Sequence, residues 1–291
     1  MAETTGRDVD TVYLNGEYLP RGEARVAADD RGFLLSDGIY EVTPAYGGRF
    51  FRGDRHLARM THGLAALRID YDTGRLPAIK LRLLELNGLV DADFAYVYMQ
   101  VTRGTAPRTH YFPPHAVEPT VYAYARAHKR PSSETWERGY RAITAPDRRW
   151  ARVDIKSIAL LPNVLAMQAA VDAKVDDVIL VRDGVAIEGA HSNFFAVSGG
   201  ALVTHPATHQ ILHGITREYV LELATELEIP VELRPLAVEE LATASEAFLT
   251  GTTTEVHPIV QIDGRPVGDG RVGPVAKRLS EAFREGLPGA A

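Results

Sequence analysis

The chain has 291 residues, enough for two domains of ordinary size. With 45% hydrophobic and 24% charged residues it has the composition of a globular protein rather than a disordered one. Thirty-two basic against 38 acidic side chains leave a formal charge of −6, which argues against nucleic acid or an anionic membrane as the main partner. Cysteine is absent, which excludes disulfides, thiolate nucleophiles, iron–sulfur clusters and Cys-type zinc sites. Covalent chemistry falls to Lys, Ser, Thr, Tyr, His or a carboxylate.

The first ten residues, MAETTGRDVD, are polar and acidic and do not read as a signal peptide. TVYL-NG-EYLP follows as a hairpin around Asn15-Gly16, and EVTPAY-GG-RFFR as another around Gly47-Gly48. A helix is expected from an Asp54 N-cap to about Arg68, with Leu57, Met60, Leu64 and Leu67 at helical spacing. PAIKLRLLELNGL reads as a second helix stopped by Gly88, and FAYVYMQVTRG and VYAYARA as strands. HKRPSSETWERG (128–139) is the best linker, dividing a small α+β domain at 1–127 from a larger α+β domain at 140–291.

The second half opens with a strand-like segment ending near Lys156, then an apolar helical run from about 160 to 173. A meander follows, DDVILVR-DG-VAIEG and HSNFFAV-SGG-ALVTHP, and then helices from TREYVLELATELEIP, VEELATAS and GPVAKRLSEAFRE. Strands and helices mix without strict βαβ alternation, so the fold class is α+β. The uncharged runs 157–171 and 189–216 are too short or too polar for a membrane span, so a cytoplasmic protein without membrane contact is expected.

A nucleophilic amine must come from one of five lysines. Lys80 and Lys277 are expected on polar faces of surface helices, Lys129 in the linker and Lys174 at a helix end. Lys156, in RVDIKSIALLP, sits among apolar residues, where burial would favour the neutral amine. A lysine snorkelling from a strand end would look the same. Glu188 ends the hairpin strand VAIEG; it is either a surface glutamate or a carboxylate directed at a cationic ring nitrogen. HGITREYVLELA, with Thr216 as expected N-cap, and the Gly251-Thr252-Thr253-Thr254 turn are candidate phosphate cradles or simply a cap and a turn. Arg59 could supply the missing cation or be an ordinary surface arginine. His205, His209 and His213 recur every four residues, but Pro206 and Gly214 disfavour the helix that zinc ligation would need, and no metal is expected. Gly268-Asp-Gly270-Arg-Val-Gly273 matches a dinucleotide fingerprint only in letters and reads as a surface turn.

The stretches DRGFLLSDGIYEV, VTRGTAPRTHYFP, DIKSIALL, EGAHSNFF, ILHGITRE and FLTGTTTE, in this order and spacing, resemble the fold-type IV pyridoxal 5'-phosphate enzymes. Within that class the likeness is greatest to the bacterial D-amino-acid transaminases. The resemblance implies a two-domain α+β enzyme with its cofactor between the domains. It implies Lys156 as the Schiff-base lysine and Glu188 as partner to the pyridine nitrogen. Arg59, Ile215, Thr216 and Thr252 would hold the phosphate, and Tyr40, Arg108 and His110 would trap the substrate carboxylate. In the family the last two arrive from a neighbouring subunit, so a homodimer is implied. The implied reaction is ping-pong transamination from a D-amino acid such as D-alanine to a 2-oxo acid such as 2-oxoglutarate. An (R)-selective amine transaminase, a lyase or a branched-chain L-aminotransferase on the same scaffold, a zinc hydrolase and a catalytically inert binding module are the alternatives. Two departures bear on specificity: Ala190-His191-Ser192 replaces a serine-rich turn, and Gly251 replaces a hydroxyl residue.

Overall fold

A computed structural model describes residues 11–289; the amino-terminal decapeptide of the leader expectation lies outside them. The described residues divide into two compact units, those within 1–129 together with 155–159, and those within 130–154 together with 160–291.

The first unit contains β1 (Thr11–Leu14), β2 (Glu17–Pro20), α1 (Arg31–Leu35), β3 (Gly38–Tyr46), β4 (Arg49–Phe50), α2 (Gly53–Leu67), α3 (Leu76–Leu86), β5 (Ala95–Thr102) and β6 (Thr120–Ala127). Its six strands form one antiparallel sheet in the order β2-β1-β6-β5-β3-β4. Strand alternation sorts the residues by face. Val97, Met99, Val101, Ala123 and Ala125 join Met60, Leu64, Ile79 and Leu83 of α2 and α3 in one core. Each large side chain buried there contributes roughly 1.5–3 kcal/mol. Tyr96, Tyr98, Tyr122 and Tyr124 alternate with them and are half-buried on the other face.

Both expected hairpin turns form, with Asn15 and Gly16 at φ 49° and 103° and Gly47 and Gly48 at 51° and 70°. The α2 start differs from expectation. Arg52 is left-handed at φ 47° and precedes a helix that begins at Gly53, which leaves Asp54 within the first turn, where its charge still complements the helix dipole. Lys80 also departs from its expected surface position. It is 4% exposed and donates to Thr43 Oγ1 at 3.1 Å, because this face of α3 turns toward the sheet.

The second unit contains α4 (Ser133–Arg138), β7 (Tyr140–Pro146), α5 (Leu161–Asp172), β8 (Asp177–Arg182), β9 (Val185–Gly189), β10 (Asn193–Ser198), β11 (Ala201–Thr204), α6 (Ile215–Glu226), β12 (Val231–Leu233), β13 (Leu236–Ala237), β14 (Glu246–Gly251), β15 (Glu255–Ile262), β16 (Arg265–Pro266) and α7 (Pro274–Glu285). Its sheet runs β12-β11-β10-β14-β15-β7-β8-β9-β13, with β16 on β15. One further pairing, Asn193 with Glu188, joins β10 to β9 and returns the strand path on itself. Phe194, Ala196, Leu249, Ile179 and Ile259 belong to its core.

Residues 128–139 are not simply a linker. Ser132 caps α4 by accepting from Thr135 N at 3.2 Å, and Trp136 Nε1 donates to Val256 O at 2.9 Å. Lys156 was expected in the C-terminal domain, but its segment 155–159 groups with the first unit. The reason is backbone pairing: Tyr40 N donates to Lys156 O at 3.0 Å, Ile158 N to Gly38 O at 3.2 Å, and Ile39 bridges Ser157. VEELATAS forms a 3₁₀ turn at Val238–Ala242 rather than an α-helix. Among the described residues no helix is long and apolar enough to cross a membrane.

Candidate active site

In the first unit, pairing with β3 brings Lys156 to Tyr40. The Lys156 amine lies 4.2 Å from the centre of the Tyr40 ring, and both residues are half-buried. The next side chain on that face is Tyr98, whose ring stacks on Tyr40 at 5.6 Å and whose hydroxyl donates to Gln100 Oε1 at 2.8 Å. The amine thus sits against an aromatic wall that offers cation–π attraction.

Arg59 is not a surface arginine. Its side chain is 9% exposed, and it donates through Nε and Nη2 to Glu41 at 2.9 and 2.6 Å. His56 Nδ1 lies 3.0 Å from the same carboxylate. Burial would raise the Glu41 carboxyl, but Arg59 and His56 outweigh it and hold it well below the usual range. Burial depresses His56 despite its Glu41 partner. The sequence reading missed Glu41 and His56, since neither is separated by periodicity from ordinary strand and helix residues. Arg108 and His110 lie exposed on the loop after β5.

In the second unit, strand register sets Glu188, Asn193 and Thr250 side by side across β9, β10 and β14. Glu188 is 3% exposed. Its Oε1 accepts from Asn193 Nδ2 at 2.5 Å and from Leu212 N at 3.0 Å, and its Oε2 accepts from Arg149 Nη1. Asp147 in turn holds Arg149 through both of its oxygens and pairs with Arg182 at 2.9 Å. Burial pushes the Glu188 carboxyl up to about 7 against the pull of Arg149 and the Leu212 amide. Such a carboxylate gains from any further cation or proton donor placed on it. Arg149 and Asn193 also went unnoticed in the sequence; the one available signal was an asparagine opening a strand otherwise made of apolar residues.

Asn193 also orients the α6 start, donating to Leu212 O at 2.8 Å, and a Cβ on Gly214 would overlap Asn193 Oδ1. Gly214, not Thr216, is the N-cap; helix α6 begins at Ile215, and Thr216 is 6% exposed in its first turn. The expected N-cap therefore shifts by two residues, because Asn193 admits only a glycine there. The first amides of α6 still carry the partial positive charge of a helix start. Thr252 is half-buried in the turn after β14, beside Gly251. The hydroxyls of Ser192 and Thr250 are buried without a hydrogen-bond partner. Unpaired buried donors, a helix start and a buried carboxylate make a donor set that fits a phosphorylated, cationic heteroaromatic ring.

His205, His209 and His213 do not align, because residues 205–213 are not helical; His205 Nδ1 lies 2.9 Å from Pro206 O and His213 Nε2 lies 3.1 Å from Thr208 O. Among the described residues no group of three or more His, Cys, Asp or Glu is placed to hold a metal.

Residues 38–262 match the amino-transferase class IV family. The chain belongs to the class IV aminotransferases. It is 40% identical over 276 residues to a D-alanine aminotransferase of Staphylococcus haemolyticus, covering 94% of this chain and 96% of that one. This class IV aminotransferase is also similar to the solved branched-chain amino acid aminotransferase of Escherichia coli, with a TM-score of 0.89, 27% identity, and coverage of 97% and 96% of the two chains. A solved branched-chain amino acid aminotransferase of T.th., with pyridoxamine 5'-phosphate, matches with a TM-score of 0.87 and 27% identity over 97% and 95% of the chains.

Proposed function

We propose that this class IV aminotransferase is a pyridoxal 5'-phosphate enzyme that moves the amino group of a D-amino acid, D-alanine foremost, to a 2-oxo acid such as 2-oxoglutarate. The observation that carries this reading is the 40% identity to a D-alanine aminotransferase along nearly the whole chain, against 27% to the branched-chain enzymes. The Pro107-Arg-Thr-His110 loop supports it, since a guanidinium and an imidazole two residues apart suit a planar carboxylate.

When bound, the cofactor supplies an electrophilic aldehyde and an electron-withdrawing ring. The residues of this chain do the rest. Lys156 Nζ would hold the aldehyde, and its free amine would take and return the substrate Cα proton as general base and acid. Glu188 keeps a proton on the ring nitrogen; Asn193, the Leu212 amide and Arg149 fix its orientation. Ile215, Thr216, Thr252 and Arg59 hold the phosphate. Tyr40, Arg108 and His110 bind the substrate carboxylate and so set which face of Cα meets Lys156. D-Alanine and 2-oxoglutarate are converted into pyruvate and D-glutamate in two half-reactions.

A homodimer in the cytoplasm belongs to the same reading. Leu161, Val164, Leu165 and Val171 leave an apolar face of α5 open, each more than half exposed, as a subunit interface would require. The experiment is a spectrally monitored half-reaction of the cofactor-loaded protein. Conversion by D-alanine and not by L-alanine or L-leucine is expected; conversion by L-leucine alone would move the enzyme to the branched-chain L-aminotransferases, and conversion only by (R)-1-phenylethylamine to the amine transaminases.

A further inference from the structure

The loop that carries Arg108 and His110 is tied down by a buried ion-pair network at the entrance to β3. Asp30 caps α1 by accepting from Gly32 N at 2.8 Å, and Ser36 ends it in the left-handed region at φ 55°. The chain therefore turns back at Asp37, whose carboxylate receives two arginines. Arg103 binds it through Nε at 2.8 Å and Nη2 at 2.9 Å, and Arg31 through Nε at 2.8 Å. The side chains of Arg31, Arg103 and Asp37 are 4%, 8% and 10% exposed.

Both arginines then reach the loop. Arg31 Nη1 donates to Pro107 O at 3.3 Å and to Thr109 O at 3.0 Å, the carbonyls on either side of Arg108. The Arg103 guanidinium lies 3.9 Å from the centre of the Phe112 ring, two residues beyond His110. The neck of the loop is closed as well, since Ala106 N donates to Asp29 O at 3.3 Å and a Cβ on Gly104 would overlap Glu118 O. Arg103 also donates to the last carbonyl of α2, Leu67 O at 2.7 Å, and to that of its C-cap, Arg68 O at 3.1 Å, so the anchor is fixed to a helix end. Without Asp37, two arginines would be left buried with no carboxylate, and their grip on the loop would lose its fixed geometry.

We propose that Asp37 is a positioning residue for substrate recognition: through Arg31 and Arg103 it holds the 107–112 loop so that Arg108 and His110 are presented in fixed geometry to the carboxylate of the ligand. It rests on the reading that Arg108 and His110 bind that carboxylate. Asp37 touches neither substrate nor cofactor; it acts on specificity by lowering the entropy that ordering the loop would cost on binding.

The test compares wild-type holoenzyme with Asp37→Asn and Arg31→Lys, the second keeping a positive charge beside Asp37 while losing the reach to the loop carbonyls. The concentration of D-alanine that half-saturates the half-reaction is expected to rise at least tenfold in both. The rate with hydroxylamine, an amine without a carboxylate, is expected to change less than twofold. Trypsin cleavage after Arg108, followed by mass spectrometry, is expected to be at least tenfold faster in both variants. Equal cleavage in wild type and Arg31→Lys overturns the anchor, and so does a D-alanine effect matched by an equal hydroxylamine effect. A wild-type holoenzyme indifferent to D-alanine defeats the underlying functional reading instead, and is seen before any variant is measured.

Discussion

Asn193 faces Glu188 across the bridge that joins β10 to β9, with Nδ2 2.5 Å from Oε1, while the same amide group donates to Leu212 O at 2.8 Å. One side chain therefore aims the carboxylate and places the approach to α6. Asn193→Ala removes both bonds and leaves Leu212 O and part of Glu188 unpaired. The Kd for pyridoxal 5'-phosphate is expected to rise about tenfold, corresponding to roughly 1.4 kcal/mol. Titration of the cofactor-free protein by visible absorbance measures it; an unchanged Kd would separate Asn193 from the site.

Arg149 supplies the cation on Glu188 Oε2, and Asp147 fixes Arg149 in turn. Arg149→Met leaves a fully buried carboxylate without that partner, a change that costs about 3–5 kcal/mol. Urea unfolding should register this loss, and adding Glu188→Gln to the same variant should recover part of it by removing the stranded charge. A single variant as stable as wild type would contradict the pairing.

Stability should depend on pH through two buried groups of opposite sign. His257 is 1% exposed, stacks on Tyr140 with ring centres 3.5 Å apart, and has no hydrogen-bond partner on either ring nitrogen. Burial takes it down to about 4 from 6.5. The native state thus binds this proton more weakly than the unfolded chain, and stability is lost as pH falls from 6.5 toward 4, by at most about 3 kcal/mol. His257→Phe should flatten that arm of the curve of melting temperature against pH.

Glu188 acts the other way. Its folded value of about 7 exceeds the ordinary 4.5, so its contribution is present below 4.5 and is lost as pH rises through 7. Cofactor-free Glu188→Gln should therefore gain stability relative to wild type between pH 5 and pH 8. A constant difference across that range would show that burial does not govern this carboxylate.

Much of this architecture was legible because turn chemistry is local. Asn15-Gly16 and Asp183-Gly184 adopt the positive φ values that their residue types favour, and the apolar run expected at 160–173 is α5 at 161–172. What escaped depends on partners distant in sequence. Lys80 is buried because Thr43, 37 residues earlier, receives it. Gly214 rather than Thr216 caps α6 because Asn193 occupies the space beside it. Arg149 meets Glu188 across 39 residues of chain, and no spacing announces that pair. Lys156 and Glu188 stood out as residue types in a telling context, whereas the side chains that hold Glu188 became visible only in three dimensions.

Every step proposed for this enzyme depends on the amine of Lys156 carrying the aldehyde. Borohydride reduction of the yellow holoenzyme, digestion and mass mapping test this directly. A phosphopyridoxyl mass on the peptide containing Lys156, and its disappearance in Lys156→Ala together with turnover, is the result expected. The label on Lys80, Lys129, Lys174 or Lys277 instead, or full activity in Lys156→Ala, would contradict it.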